Sequence, residues 1–150
     1  MLRRNICLKR EVELRQPAAL APLAQMIADR LLADAIASGA TGALMIAGAG
    51  LLEGPLGLPA ALTREAGLLL VPYVAFVAFV GTREQISRAA VQASIALNIL
   101  WTVCSIGLLL SGYVAPTALG TTFVIAQAAV VAVFAELQFV GLRRVSVVTA

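Results

Sequence analysis

Hydrophobic positions along the chain fall into four long runs, separated by short breaks that hold the glycines, prolines and charges. The runs cover about 33–52, 64–81, 88–110 and 117–142. A helix crosses the hydrocarbon core of a bilayer with about 20 residues, so each run reads as one crossing. The second run is short and carries Pro72, which predicts a kink and borrowed length from residues 60–62. The fourth is longer than one crossing requires, which predicts tilt or a protruding end. The breaks are Glu53-Gly54-Pro55 through Pro59, Gly81-Thr82-Arg83-Glu84 and Ser111 through Pro116. Loops this short make consecutive helices antiparallel neighbours. The fold class expected is all-α: a four-transmembrane-helix antiparallel bundle over 31–144, with a cytoplasmic tail at 145–150.

Ahead of the bundle lies a basic leader, 1–30. Leu20, Leu23, Ile27 and Leu31 recur at helical spacing, with Gln25, Asp29 and Arg30 elsewhere on the wheel. Two readings stand side by side. One is an N-terminal amphipathic helix lying in the membrane interface; the other is a solvated extension that merges into the first span.

Composition agrees with the pattern. Of the 150 residues 61% are hydrophobic and 13% charged, with a mean hydropathy of +0.95. An average soluble domain is about a quarter charged, so a disordered chain, a coiled coil and an ordinary cytosolic enzyme are excluded. The net charge of +3 comes from cations at the ends of apolar runs, where they act as topology signals. Ten of eleven, all but Arg64, fall on one side of the predicted topology. That places both termini in the cytoplasm. Tyr73 and Tyr113 then read as interface anchors toward the opposite half. With no basic-aromatic platform, nucleic acid is not an expected partner. The expected partners are the lipid bilayer and a second copy or another membrane protein.

Small residues recur every fourth position on the first span (Gly39, Ala43, Ala47, with Gly42 on the adjoining stripe) and on the fourth (Gly120, Ala128, Ala132). Small residues let helix backbones approach closely in lipid, so these are expected packing positions.

An ionisable group inside the membrane is costly and is a functional candidate by default. Glu136 lies about 10 Å inside the cytoplasmic end of span four. It reads as a proton or cation site, or as a carboxylate reaching the boundary or pairing with Arg83, Arg88 or Arg143. Ser94, Asn98, Thr102 and Ser105 make a polar seam on span three around Trp101. Asn98, near mid-bilayer, reads as interhelical glue, or with Trp101 and Glu136 as the lining of a polar pocket. Asp34, Gln92, Arg88 and Glu136 share the inner half, as one cluster or as separate headgroup contacts. The chain has no histidine and two separated cysteines, Cys7 and Cys104. No disulfide, metal site or catalytic triad is expected. No P-loop, GxGxxG, HExxH, CxxC or GxSxG pattern occurs. Neither a cofactor nor enzyme activity is expected.

Leu56-Gly57-Leu58-Pro59-Ala60, Asn98-Ile99-Leu100-Trp101, Pro116-Thr117-Ala118-Leu119-Gly120 and Ala135-Glu136-Leu137-Gln138 together resemble a group of small bacterial four-helix integral membrane proteins. The resemblance covers about 34–144 and implies the fold and a plasma-membrane location, with no activity to carry over. The expected function is a non-catalytic packing or accessory module that self-associates or joins a larger membrane complex. The alternatives are a small oligomeric transporter or channel that uses Glu136, and a lipid- or quinone-binding enzyme.

Overall fold

A computed structural model describes the backbone of residues 2–83 and 86–148, and the side chains within 21–83 and 86–144. The described residues form four α-helices and no strand: α1 (Leu2–Leu56), α2 (Ala60–Gly81), α3 (Arg88–Leu110) and α4 (Ala118–Val148). Each contains a stretch long and apolar enough to cross a bilayer, at Ala21–Leu56, Ala60–Gly81, Arg88–Leu110 and Ala118–Arg144. The chain is a multi-pass membrane protein. Its outward-facing side chains are apolar to match, Leu51, Leu110 and Ile36 among the most exposed.

The first span is longer than the pattern predicts. α1 continues without interruption from the leader into the bundle. Ile27 and Leu31 do not lie in an interface; they are buried in the core with Ala35, Val77, Val80, Val91 and Leu142. The helical spacing holds, but its apolar face belongs to the bundle, because α2, α3 and α4 all present side chains at that level. Side chains before residue 21, Leu20 and Cys7 included, and those of 145–148 lie outside the described residues, as do residues 149–150 altogether; the expected tail continues α4 as helix to Val148.

Contacts between helices run antiparallel. Gly39 faces Val74, Gly42 faces Leu70, and Gly81 faces Leu31 and Leu32. Across α1 and α4, Ile27 meets Gly141 and Leu56 meets Gly120. α1 packs along α2 and along α4, and α3 packs along α4, whereas α2 and α3 barely touch. The expectation that every sequential pair packs side by side therefore fails for α2 and α3, despite their short connection. The reason is geometric. α1 and α4 are adjacent, so the helices pack in the order α2, α1, α4, α3, and the ring stays open as a cleft between α2 and α3.

Buried positions on α4 are Gly120, Val124, Ala128, Val131, Ala135, Gln138 and Leu142. Those on α1 include Leu31, Ala35, Ser38, Gly42, Met45 and Ala49. Gly141 of α4 is buried as well, and on both helices the steps mix three and four residues. A strict four-residue step drifts by about 40° each time. Ala43, Ala47 and Ala132, placed on packing stripes by that step, therefore face outward, while Gly42, Ala128 and Gly120 are buried and Gly39 is half-buried.

The far end of the bundle is locked through the backbone. Gly57, at φ +64, closes α1 with its N–H on the Glu53 carbonyl at 2.8 Å, a left-handed helix cap that favours glycine. The Leu56 carbonyl then accepts the Thr117 N–H at 3.0 Å, and the Thr117 hydroxyl donates to the Pro55 carbonyl at 2.6 Å. A Cβ built on Gly120 would fall on the Leu56 carbonyl oxygen, whereas one on Gly107 would meet open space. Gly120→Ala should therefore lower the unfolding free energy by about 1–3 kcal/mol. Gly107→Ala should change it by less than about 1 kcal/mol and not unfavourably. Unfolding in detergent by titrated denaturant checks both.

Candidate functional site

Between two apolar clusters, one around Leu31 and one around Leu56 and Val124, the helices bury a polar layer. Its centre is Asp34 on α1, fully buried. Oδ2 of Asp34 lies 2.6 Å from the Tyr73 hydroxyl of α2, 2.8 Å from Asn98 Nδ2 of α3 and 2.8 Å from Gln138 Nε2 of α4. Oδ1 accepts from the Ser38 hydroxyl at 3.0 Å. Tyr73 Oη also lies 2.7 Å from Asn98 Oδ1 and 3.3 Å from Ser94 Oγ. All four helices thus send a side chain to one carboxyl group.

The local causes are legible. In α1, Asp34 and Ser38 are four residues apart, so they stack on one face. In α3, Ser94 and Asn98 repeat that spacing, and Thr102 continues it with its hydroxyl on the Asn98 carbonyl at 2.9 Å. Tyr73 is in the middle of α2, about 20 Å along the axis from its first residue. Its ring packs against the apolar cluster while its hydroxyl reaches the layer.

The groups around Asp34 are a phenol, two amides and a hydroxyl. Arg30, one turn earlier, turns its guanidinium instead to the Leu137 carbonyl of α4. A carboxyl at this depth would cost several kcal/mol if left bare. Hydrogen bonds of about 0.5–1.5 kcal/mol each offset part of that. The net effect favours one packing, the one in which side chains from all four helices reach a single carboxyl.

Several candidates read from the sequence sit together and others do not. Asp34 and Asn98 are bonded to each other. Gln92 and Arg88 are exposed on the first turns of α3. Glu136 is exposed, in an apolar groove between α3 and α4 lined by Ile95, Ile99, Thr102, Val103, Ala135 and Phe139. Trp101 is half-buried and its Nε1–H has no partner. It lines a cavity of about 240 Å³ with Ser38, Thr41 and Gln127. It also lines the cleft between α2 and α3, about 340 Å³, with Tyr73, Asn98 and Cys104. Among the described residues no group of His, Cys, Asp or Glu is arranged to hold a metal ion.

Three members of the layer, Ser38, Tyr73 and Gln138, are not among the sequence candidates; Ser38 sits one turn after Asp34 on the same face. Tyr73, read as an interface anchor, is instead an internal donor; the signal was its place beside Pro72 in mid-span, far from either end. Gln138 drew less notice than Glu136, two residues before it. Yet positions two apart on a helix differ by about 200°, so only one of them can face the core. Tyr113 is exposed in the connection between α3 and α4. Comparison with protein-family models, with curated proteins and with solved structures finds no match.

Asn98→Ala should lower the unfolding free energy by about 1–2 kcal/mol, the range of buried polar contacts in membrane bundles. Glu136→Gln, on the exposed face of α4, should change it by less than about 0.5 kcal/mol. Parallel denaturant titrations of the two variants measure the difference.

Proposed function

We propose that the chain is a non-catalytic membrane module that associates with a second copy of itself through α1. The observation that carries this reading is the outer surface of α1. Ala40, Ala43, Ala47, Gly50 and Gly54 are all exposed. They follow one another at three- and four-residue spacing. A Cβ on Gly50 or Gly54 would meet nothing within 4 Å. The opposite face of the same helix is already packed, through Ala35, Ser38, Gly42, Met45 and Ala49. Apolar burial gives little drive for association in lipid, so a smooth small-residue surface acts by permitting close backbone approach.

The membrane in question is the inner membrane of a bacterium, with both termini in the cytoplasm. Support comes from the placement of cations. Arg30, Arg83, Arg88, Arg143 and Arg144 belong to the helix ends that meet at one end of the antiparallel bundle, and Arg64 to the other. That asymmetry orients the bundle by the positive-inside rule. Arg83 and Arg143 lie over the rings of Phe79 and Phe139, as cations do where apolar side chains meet headgroups. The transport alternative uses Glu136, which is exposed in the α3–α4 groove, whereas Asn98 is buried against Asp34.

Cross-linking in native membranes tests the association. In a chain with Cys7→Ser and Cys104→Ser, Ala47→Cys should form a disulfide-linked dimer on oxidation, and Val103→Cys on α3 should not. Adding Ala43→Leu should cut the dimer yield several-fold. A monodisperse monomer in mild detergent, with no cross-link at positions 40, 43 or 47, contradicts the reading.

A further inference from the structure

We propose that the Asp34–Tyr73–Asn98 triangle is a proton-binding site, taking up and releasing one proton per chain on the Asp34 carboxyl. The argument is a count of hydrogens and does not depend on self-association. The triangle has three edges: Asp34 Oδ2 to Tyr73 Oη at 2.6 Å, Tyr73 Oη to Asn98 Oδ1 at 2.7 Å and Asn98 Nδ2 to Asp34 Oδ2 at 2.8 Å. At these lengths each edge requires a hydrogen between its heavy atoms. The Asn98 amide fills one edge and the single phenolic hydrogen of Tyr73 fills one more. With Asp34 as carboxylate, the third edge is two oxygens with nothing between them.

Reversing the Asn98 amide does not help. Its nitrogen then serves Tyr73, Tyr73 serves Asp34, and the bare edge moves to the contact between Asn98 oxygen and Asp34. Gln138 supplies a hydrogen only to Asp34, at 2.8 Å, and Ser94 only to Tyr73, at 3.3 Å. A proton on Oδ2 completes the set: Asp34 donates to Tyr73, Tyr73 to Asn98, and Asn98 to Asp34. The shortage recurs beside the triangle, where the fully buried Gln138 leaves its Oε1 without any donor.

The surroundings set what else can respond. Asp34 with Ser38 faces the site from α1, Tyr73 from α2, Ser94 and Asn98 from α3, and Gln138 from α4. The only titratable groups among these are Asp34 and Tyr73. Arg30 is engaged with the Leu137 carbonyl, and Glu136 faces the outer groove. Exchange is a plain acid–base step. An O–H bond forms or breaks at Oδ2, no electron moves, and the proton passes to or from water. The α2–α3 cleft has mainly apolar walls but reaches the layer at Ser38, Tyr73 and Asn98, and those polar groups mark where water would meet it. With Asn98 Nδ2 on Asp34 and Tyr73 donating to Asp34, the edge left bare in the carboxylate state is Tyr73 to Asn98, which borders this cleft, so proton release strains the link between the two helices that otherwise barely touch.

The chain has only two aspartates, Asp29 and Asp34, and Asp29 is exposed. Full-length protein carrying Asp29→Asn and labelled at its aspartate carboxyl carbon therefore reports Asp34 alone. In lipid nanodiscs, the proposal predicts that this signal converts between carboxylic acid and carboxylate within the pH range over which helicity is constant. Tyr73→Phe removes the competing phenol and should move the midpoint of that conversion by at least threefold in proton concentration. A signal that keeps one form throughout that range overturns the proposal, and so does a midpoint unmoved by Tyr73→Phe.

Discussion

A carboxyl group in the middle of an apolar bundle must be given hydrogen-bond partners, and the rest of this structure is arranged around that requirement. Asp34 draws one donor from each of the other three helices and one from its own. Helices in lipid gain little from apolar burial against one another. A polar layer that can be satisfied in only one arrangement therefore fixes rotation and depth in a way that leucine and alanine cannot. Apolar clusters above and below the layer make any missing partner costly.

The same layer explains the asymmetry of the bundle. α1 and α4 meet directly, through Gln138 on Asp34, Arg30 on the Leu137 carbonyl and Leu56 against Gly120. α2 and α3 are joined across their cleft mainly by Tyr73 reaching Ser94 and Asn98. One phenol is thus both a donor to the buried acid and the bridge between the two flanking helices. Small residues divide the work on α1: Gly42 opposes Gly67 and Leu70 inside the bundle, while Ala43 and Ala47 stay on the outside.

Much of this is legible in the sequence. Four apolar runs give four helices, because length and hydropathy alone decide whether a segment suits lipid. Asp34 and Asn98 stand out as polar groups at membrane depth, and the Ser94–Asn98 spacing places both on one face of α3. What escapes is rotation. A four-residue step points Ala132 and Glu136 inward, yet mixed steps of three and four residues bury Ala135 and Gln138 instead. The ambiguity is inherent in a helix that is apolar nearly all round, since its own pattern does not mark the inner face. Tyr73 escapes for a different reason: an aromatic with a polar tip suits an interface as well as a buried partner, and only the position of Asp34 distinguishes them. The leader's apolar spacing was visible at Ile27 and Leu31, but which surface it would meet depends on the helices that follow.

The central claim is that one carboxyl joins four helices, and solid-state magnetic resonance on the unmodified chain in lipid bilayers measures it most directly. With the Asp34 carboxyl carbon and the side-chain amide nitrogens of Asn98 and Gln138 labelled, the account predicts strong dipolar coupling from that carbon to both nitrogens at once. Coupling to neither, or to one alone in the folded protein, would contradict it.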